Sequence, residues 1–255
     1  MANTYYDPGT KRAEKVNDLF QRIAPRYDLI NDLQSFGLHR HWKRRLVALA
    51  NPGAGSRALD FCCGTGDIAF ALARRGAEVV GLDFSEAMLA VARQRKARLA
   101  NGTAPQDRRL NVTFVQGDAM ATGMPSATFD IATVGYGLRN LSDWKEGIAE
   151  MKRVLKPGGR MVVLDFGKPD NPLWRSLYFS YLRLCVPVFG LVFCRNAAAY
   201  SYILESLKHY PAQNGVASEM AGQGLKNVQI VRFLGGVMTI NYGEKAAAGP
   251  SQSKV

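Results

Sequence analysis

The sequence predicts an α/β fold in which a mainly parallel sheet is covered by helices on both faces. Short apolar segments alternate with helical ones from residue 57 to residue 164, and a glycine turn follows the first apolar segment. This alternation is typical of a parallel sheet. The chain has 255 residues, 47% of them hydrophobic and 21% charged, which excludes collagen-like, wholly disordered and polytopic membrane proteins.

The N-terminal part of the chain is predicted to be helical. Apolar residues recur at helical spacing over Val16–Ile23, and Pro25 ends that run. A second helix is expected over His39–Leu49, before an Asn-Pro-Gly break. We therefore predict that residues 1–52 form a helical cap over the active site.

Residues 53–244 are predicted to form the main domain. Three helices are expected between its strands: Asp67–Arg74, a second that Ser85 caps and a third that Asp143 caps. Residues 171–210 form a mostly helical insertion on the substrate side, and residues 245–255 a flexible tail. The strands are expected at Arg57–Phe61, Glu78–Leu82, Val112–Val115, Phe129–Val134 and Arg160–Leu164, and a closing antiparallel pair at Val228–Phe233 and Val237–Tyr242.

The charge balance and the cysteines indicate where the protein works. Thirty-three Lys and Arg against 21 Asp and Glu give +12, which favours an anionic partner. The longest uncharged apolar run, Leu184–Cys194, is too short to span a bilayer. Four cysteines and a polar N-terminus without a secretory signal favour a reducing compartment. We expect a cytoplasmic protein that touches the inner face of the membrane, with transient contact to anionic lipid.

The turn after the first strand predicts a cofactor site. Gly64 and Gly66 let the backbone approach a ligand, and Asp83 ends the next strand 19 residues after Gly64, where a carboxylate meets a ribose. Asp60 and Asp67 flank the turn; carboxylates repel a pyrophosphate but suit a ligand with an ammonium and a sulfonium group. S-adenosyl-L-methionine carries both, so the sequence favours it over a dinucleotide.

Several segments resemble the ubiquinone/menaquinone-biosynthesis C-methyltransferase family, and most closely its demethylmenaquinone members. The resemblance covers about Lys15 to Tyr242. Cys62-Cys63 departs from the small residues of many members and resembles phylloquinone-pathway relatives. The matching segments are Phe20–Asp28 with Asn31-Asp32, Gly37–Lys43, the Cys63–Asp67 turn, Gly137–Asn140, Arg153–Gly159 and Tyr202–Pro211.

The resemblance implies a class I S-adenosylmethionine-dependent methyltransferase: a Rossmann-like, seven-stranded sheet with a C-terminal antiparallel hairpin. Acceptor chemistry is expected at Arg139, as stabiliser of a quinolate, and Asn140, with Tyr27 and Asp28 from the cap. The base is left open between a water, His39 and Asp28. No metal site is expected. Cofactor contacts are expected at Asp60, Gly64, Thr65, Gly66, Asp83, Phe84, Asp118, Ala119 and Gly135.

The acceptor implied by the resemblance is a prenylated naphthoquinol, demethylmenaquinol. A phytyl-naphthoquinol or a ubiquinone-precursor benzoquinol are the alternatives, and a homodimer is left open. A nucleic-acid methyltransferase would carry Asn-Pro-Pro-Tyr or a Pro-Cys nucleophile after the fourth strand, and neither occurs there. We therefore expect no nucleic-acid partner. A nicotinamide-dependent oxidoreductase would need a Tyr-x-x-x-Lys-type donor, and a non-enzymatic binding protein would not need the full cofactor turn.

Overall fold

A computed structural model describes residues 12–24, 31–32, 34–102, 104, 107, 109–194 and 197–247. Tyr27 and Asp28 lie outside these residues. Seven strands form one sheet in the order β3-β2-β1-β4-β5-β7-β6. Their bounds are β1 Arg57–Phe61, β2 Glu78–Asp83, β3 Val112–Gln116, β4 Phe129–Gly135, β5 Leu155–Phe166, β6 Leu225–Phe233 and β7 Met238–Lys245.

The sheet is parallel from β3 to β5 and antiparallel at its C-terminal edge. β4 pairs in parallel with both β1 and β5, and β7 runs antiparallel to β5 and β6. The predicted closing pair is therefore confirmed. The fifth strand begins earlier than predicted, because Leu155 already pairs with Phe129. The preceding helix ends at Val154, and the Pro-Gly-Gly sequence at 157–159 lies in an irregularity of β5 between the Leu155–Phe129 and Arg160–Ile131 pairs.

Eight helices of at least seven residues are described, on both faces of the sheet. The strands alternate their side chains between two cores, as Leu59 and Phe61 do against Ala58. Burying each large apolar side chain contributes about 1.5–3 kcal/mol. The helices are α1 Arg12–Ile23, α2 Leu38–Ala50, α3 Asp67–Ala73, α4 Glu86–Ala100, α5 Trp144–Val154, α6 Pro172–Cys194, α7 Ala197–His209 and α8 Ala212–Gly222.

Helix ends follow the sequence where a cap was predicted. Asp143 accepts hydrogen bonds from the backbone N–H groups of Lys145 and Glu146 and so begins α5. Ser85 stands at the N-cap of α4 without a side-chain bond to that helix. The longest helix, α6, has many apolar residues, yet no helix in the described part of the chain is long and apolar enough to cross a membrane.

The fold brings the carboxyl ends of β1 to β4 to one edge of the sheet. A cleft opens there between the strand ends and α1, whose Val16, Asn17 and Phe20 form part of its wall. Ligands of open parallel sheets bind at this edge. The predicted cofactor turn and the segment after β4 both lie at the cleft.

Candidate active site

The glycine turn after β1 has a backbone that side chains would disturb. Gly64 and Gly66 have φ values of 54° and 86°, in the left-handed region that favours glycine. A Cβ at Gly66 would lie 2.8 Å from the ring of Phe114, and one at Gly64 would lie 3.1 Å from Met88. The turn therefore presents bare backbone to the cleft at Gly64, as a close approach to a ligand requires.

Asp83 connects the first two strand ends of the cleft. One of its oxygens accepts a hydrogen bond from the Gly64 N–H at 2.8 Å, and the other accepts from the Ser85 N–H at 2.9 Å. Burial raises the pKa of Asp83, and these backbone donors offset part of that rise. The carboxylate is thus fixed against the turn while still lining the cleft.

The interpretation of Asp67 as a partner for a cationic cofactor needs correction. Its carboxylate lies 2.6 Å from Lys43 of α2 and 2.7 Å from Arg95 of α4. Burial disfavours the charged form, but the two cations outweigh burial and hold the pKa of Asp67 well below its ordinary value. Arg95 also donates to the Thr65 carbonyl at 3.0 Å. Asp67 therefore anchors the turn between α2 and α4, and its charge is already balanced.

Asp60 is a buried carboxylate whose charge is only partly compensated. It is almost fully buried, and one oxygen accepts a hydrogen bond from the Thr133 hydroxyl at 2.7 Å. The other oxygen has no hydrogen-bond partner among the described residues. Burial raises the pKa of Asp60 to about 7. A cationic group bound nearby would favour its ionised form.

The third strand end reaches the cleft through a loop that Glu150 of α5 supports. Asp118 and Ala119 line the cleft. Three residues farther on, Thr122 donates its backbone N–H to Glu150 at 2.9 Å. Arg153 donates to the same carboxylate at 2.6 Å, which is the main reason that the pKa of Glu150 falls to about 2. The loop is therefore held by a buried, ionised carboxylate.

The fourth strand end carries a polar group that faces the cleft. Asn140 lines the cleft, donates through Nδ2 to the Tyr136 carbonyl at 3.1 Å and accepts from the Tyr202 hydroxyl at 3.0 Å. Tyr202 is buried on α7. These two bonds fix which end of the Asn140 amide carries the oxygen and leave its second N–H for a ligand.

Arg139 is placed differently from the prediction that it faces the acceptor. Its guanidinium is buried, donates to Asp165 at 2.8 Å and to the Tyr136 carbonyl at 2.7 Å, and lies over the Phe166 ring. It does not line the cleft. Because Asp165 balances its charge, Arg139 holds the turn that presents Asn140 and offers no free charge at the cleft surface.

His39 is also set apart from the cleft. It is buried on α2, with Nε2 2.7 Å from the Asp32 carboxylate. Burial is the main cause of its lowered pKa, and the hydrogen bond to Asp32 opposes it. His39, one of the candidate bases, therefore does not line the cleft in the described structure and instead fixes the chain before α2.

Most predicted cofactor residues come together at the cleft. The predicted residues that line it are Gly64, Asp83, Phe84, Asp118, Ala119 and Gly135; Asp60, Thr65 and Gly66 do not line it. No group of His, Cys, Asp and Glu suited to a metal ion occurs among the described residues. The cleft combines an aromatic and aliphatic wall with a few polar groups, the ordinary composition of a small-molecule site.

Known proteins place this site in a family. The model of the ubiE/COQ5 methyltransferase family matches residues 9–245. The chain belongs to the ubiE/COQ5 methyltransferase family. It is 37% identical over 237 residues to "Demethylmenaquinone methyltransferase" of Shouchella clausii, with 92% of this chain and 97% of the relative covered. It is 38% identical to "Ubiquinone/menaquinone biosynthesis C-methyltransferase UbiE" of Azotobacter vinelandii, with 93% and 92% covered.

Solved structures agree on the fold. A Thermotoga maritima S-adenosylmethionine-dependent methyltransferase has a TM-score of 0.62 at 18% identity, with 89% of this chain and 99% of that one covered. A Haemonchus contortus phosphoethanolamine N-methyltransferase in complex with S-adenosyl-L-methionine has a TM-score of 0.56 at 15% identity, with 81% and 52% covered. Together with the family match, these likenesses show the class I S-adenosylmethionine-dependent methyltransferase fold that the sequence predicted.

Sequence reasoning missed the residues that hold the site in place. Lys43, Arg95 and Asp165 each bind a site residue from a distant part of the chain. Asp165 had a signal, because it lies near the end of a predicted parallel strand, as Asp83 does. Tyr202 lies in a segment that carries the family resemblance, but its position in the sequence does not indicate that it binds Asn140.

Proposed function

We propose that this chain methylates a ring carbon of a prenylated naphthoquinol and so converts demethylmenaquinol to menaquinol. The relatives that carry this name support the reaction, and the cleft supports the acceptor class. Val16, Phe20 and Leu141 give the cleft an apolar surface, and Asn140 adds an amide to its lining. A prenylated naphthoquinol has a matching division into polar and apolar parts, because its flat ring carries polar oxygens and its isoprenoid tail is apolar.

The residues present fit S-adenosylmethionine as cofactor. The bare turn at Gly64 would receive the amino-acid part, Asp83 the ribose hydroxyls, and Asp118 the adenine. Asp60, with an oxygen that lacks a partner among the described residues, supplies negative charge beneath the turn. When bound, the cofactor supplies an electrophilic methyl group on a positively charged sulfur.

The acceptor must be the reduced quinol, because only its ring is rich enough in electrons to react at carbon. Ionisation of a ring hydroxyl raises the density at the neighbouring carbon. We assign to Asn140 the task of orienting that oxygen with its remaining N–H, and to Arg139 the task of holding the turn. Correct placement of the ring contributes several kcal/mol to such a reaction. Of the bases considered, we favour water over His39, because His39 is paired with Asp32 away from the cleft; Asp28 lies outside the described residues.

The test is a single-turnover assay with a short-tailed demethylmenaquinol kept reduced by dithionite, followed by mass spectrometry. The expected product gains one methyl group, and the oxidised quinone gives none. A ubiquinone-precursor benzoquinol is the second candidate, because the Azotobacter relative is named for both quinones. Methylation of the benzoquinol alone, or of neither compound, would overturn the assignment.

We also propose roles for two segments of the chain, contact with a membrane and a dimer. Residues 1–52 act as a cap, consistent with the position of α1 at the cleft, and residues 171–210 act as the substrate-side insertion. Contact with an anionic membrane at the inner face of the cytoplasmic membrane follows from a lipid-soluble substrate and a net charge of +12. Homodimer formation is tested by sedimentation of the pure protein.

A further inference from the structure

Helix α6 has one face turned to the core and an opposite face that is apolar yet exposed. Tyr178 and Leu182 are buried, whereas Leu173, Leu177 and Leu184 are 80%, 60% and 67% exposed. At 100° per residue, the three leucines lie within about 40° of one another around the helix. An aligned row of exposed leucines differs from the single exposed apolar residues that soluble proteins commonly carry.

Contacts between elements continue this face beyond α6. Trp174 donates its indole N–H to the Leu234 carbonyl at 2.9 Å, and Leu234 in the turn between β6 and β7 is itself 54% exposed. The neighbouring Phe233 packs against His41 in the first turn of α2, with ring centroids 6.0 Å apart. α2 begins at the exposed Leu38, and Phe36 just before it is 78% exposed. We call these exposed residues the apolar rim: Phe36, Leu38, Leu173, Trp174, Leu177, Leu184 and Leu234.

The apolar rim lies at the same edge of the sheet as the cleft. Phe166, the last residue of β5, pairs with Met238, the first residue of β7. The turn that carries Leu234 is therefore at the carboxyl end of the parallel strands, where β4 also ends at Gly135 beside the cleft. A partner surface that binds the apolar rim would therefore lie next to the entrance of the cleft.

Positive charges accompany the rim. Arg183 is exposed on α6, about 80–120° around the helix from the three leucines, and Arg44 and Arg45 are exposed on α2. Asp170, the acid closest in sequence to the exposed start of α6, is already paired with Arg232 at 3.1 Å. Leucine and tryptophan side chains flanked by arginines match a layer with an apolar interior and anionic headgroups.

We propose that the apolar rim docks this enzyme on an anionic phospholipid bilayer, with the leucines of α6 in the outer acyl layer. The arginines then contact lipid phosphates, and the cleft opens toward the layer in which a prenylated substrate is dissolved. This proposal rests on the proposed function for its substrate class and adds the surface that meets the membrane.

The test measures sedimentation of the full-length protein with vesicles of phosphatidylcholine, with or without about one third phosphatidylglycerol. Leu173→Gln/Leu177→Gln is expected to lower partitioning onto anionic vesicles at least about tenfold, and Leu173→Met/Leu177→Met to retain it. Arg45→Gln/Arg183→Gln should lower it about fivefold for each charge removed, and high salt should do the same.

A matched control removes the same charge at the opposite edge of the sheet. Arg75 and Lys226 are exposed there, and Arg75→Gln/Lys226→Gln should bind vesicles nearly as the wild type does. Equal binding by the wild type and the leucine-to-glutamine variant would overturn the proposal. So would a wild-type dimer that this variant converts to monomers, since a second copy would then cover the rim.

Turnover without vesicles separates this proposal from the proposed function. The Arg75→Gln/Lys226→Gln control, whose residues lie outside the 171–210 insertion, should methylate a water-dispersed short-tailed demethylmenaquinol at the wild-type rate. If the wild type lacks that activity but still binds anionic vesicles through the rim, the proposed function fails and the docking surface stands. If the activity is present without vesicle binding, the docking surface is wrong.

Discussion

Replacing Asp60 by asparagine tests the carboxylate that the fold holds at the greatest cost. Burial raises its pKa from 3.8 to about 7. Below pH 3.8 the group is protonated in both states and costs nothing. As the pH rises from 3.8 to about 7, the unfolded chain releases the proton and the folded chain does not, so stability is lost across this window. A rise in pKa from 3.8 to about 7 corresponds to about 4 kcal/mol.

The Asp60→Asn variant keeps the volume and one oxygen for the Thr133 hydroxyl but carries no charge. Its amide N–H₂ replaces an oxygen that has no partner among the described residues, and an unpaired amide costs about 1–3 kcal/mol. We therefore expect the free energy of unfolding of the cofactor-free protein to rise by about 1–3 kcal/mol at pH 8 and not to rise at pH 4. Urea denaturation at both pH values measures this difference.

The same variant should bind S-adenosylmethionine more weakly in calorimetry, because it removes negative charge beneath the turn. If Asp60→Asn makes the protein more stable but weakens cofactor binding, the carboxylate costs stability and contributes to binding. Asp130→Asn is the control: Asp130 is paired with Lys156 at the surface, and its loss should leave cofactor affinity unchanged. If Asp60→Asn destabilises the protein equally at pH 4 and pH 8, the reasoning from burial is wrong.

Three other substitutions test the supports of the site. Glu150→Gln should lower the free energy of unfolding by about 2–3 kcal/mol in urea denaturation at pH 7. The folded-state pKa of about 2, against 4.5 for the unfolded chain, gives stability that is lost only as the pH falls from 4.5 to about 2. Glu78→Gln, at an exposed position, should change the free energy of unfolding by less than about 0.5 kcal/mol. Tyr202→Phe should slow single-turnover methyl transfer about tenfold or more without changing cofactor affinity in calorimetry; equal loss of both would contradict its positioning role. Lys43→Met should weaken cofactor binding in the same titration and lower stability by about 1–3 kcal/mol, and an unchanged titration would show that the clamp on the turn is dispensable.

The sheet could be predicted because its strands are short, apolar and bounded by turn residues. β1 is found at the predicted residues, and the C-terminal pair has the predicted direction. The start of β5 could not be predicted. Pro157 and the glycines after it signal a break, and the register between β4 and β5 is irregular there, between the Leu155–Phe129 and Arg160–Ile131 pairs. What the local signal cannot show is that Leu155, before the break, already pairs with Phe129.

More of the cofactor side than of the acceptor side could be predicted, because the cofactor residues lie close together in the sequence. Gly64 and Asp83 follow consecutive strands, so a regular βαβ unit brings them together. Asn140 was predicted from its motif, but its partner Tyr202 is 62 residues away in another helix. The burial of Arg139 also depends on where β5 places Asp165. Such long-range partners leave no periodic signal in the chain.

Three carboxylates near the cofactor turn show why charge at a site must be argued from the fold. In the sequence, Asp60 and Asp67 flank the turn as equivalent acids that suit a cationic cofactor, and Asp83 ends the next strand as a partner for a ribose. In the structure, Asp67 is balanced by Lys43 and Arg95, whereas Asp83 is held by backbone donors and Asp60 has an oxygen without a partner among the described residues. Burial raises the pKa of the latter two and lets their charge depend on what binds. A cationic cofactor should therefore lower the pKa of Asp60, and its affinity should increase as the pH rises toward 8. If Asp67 were the only acid that matters for cofactor binding, the affinity would not change with pH in this range.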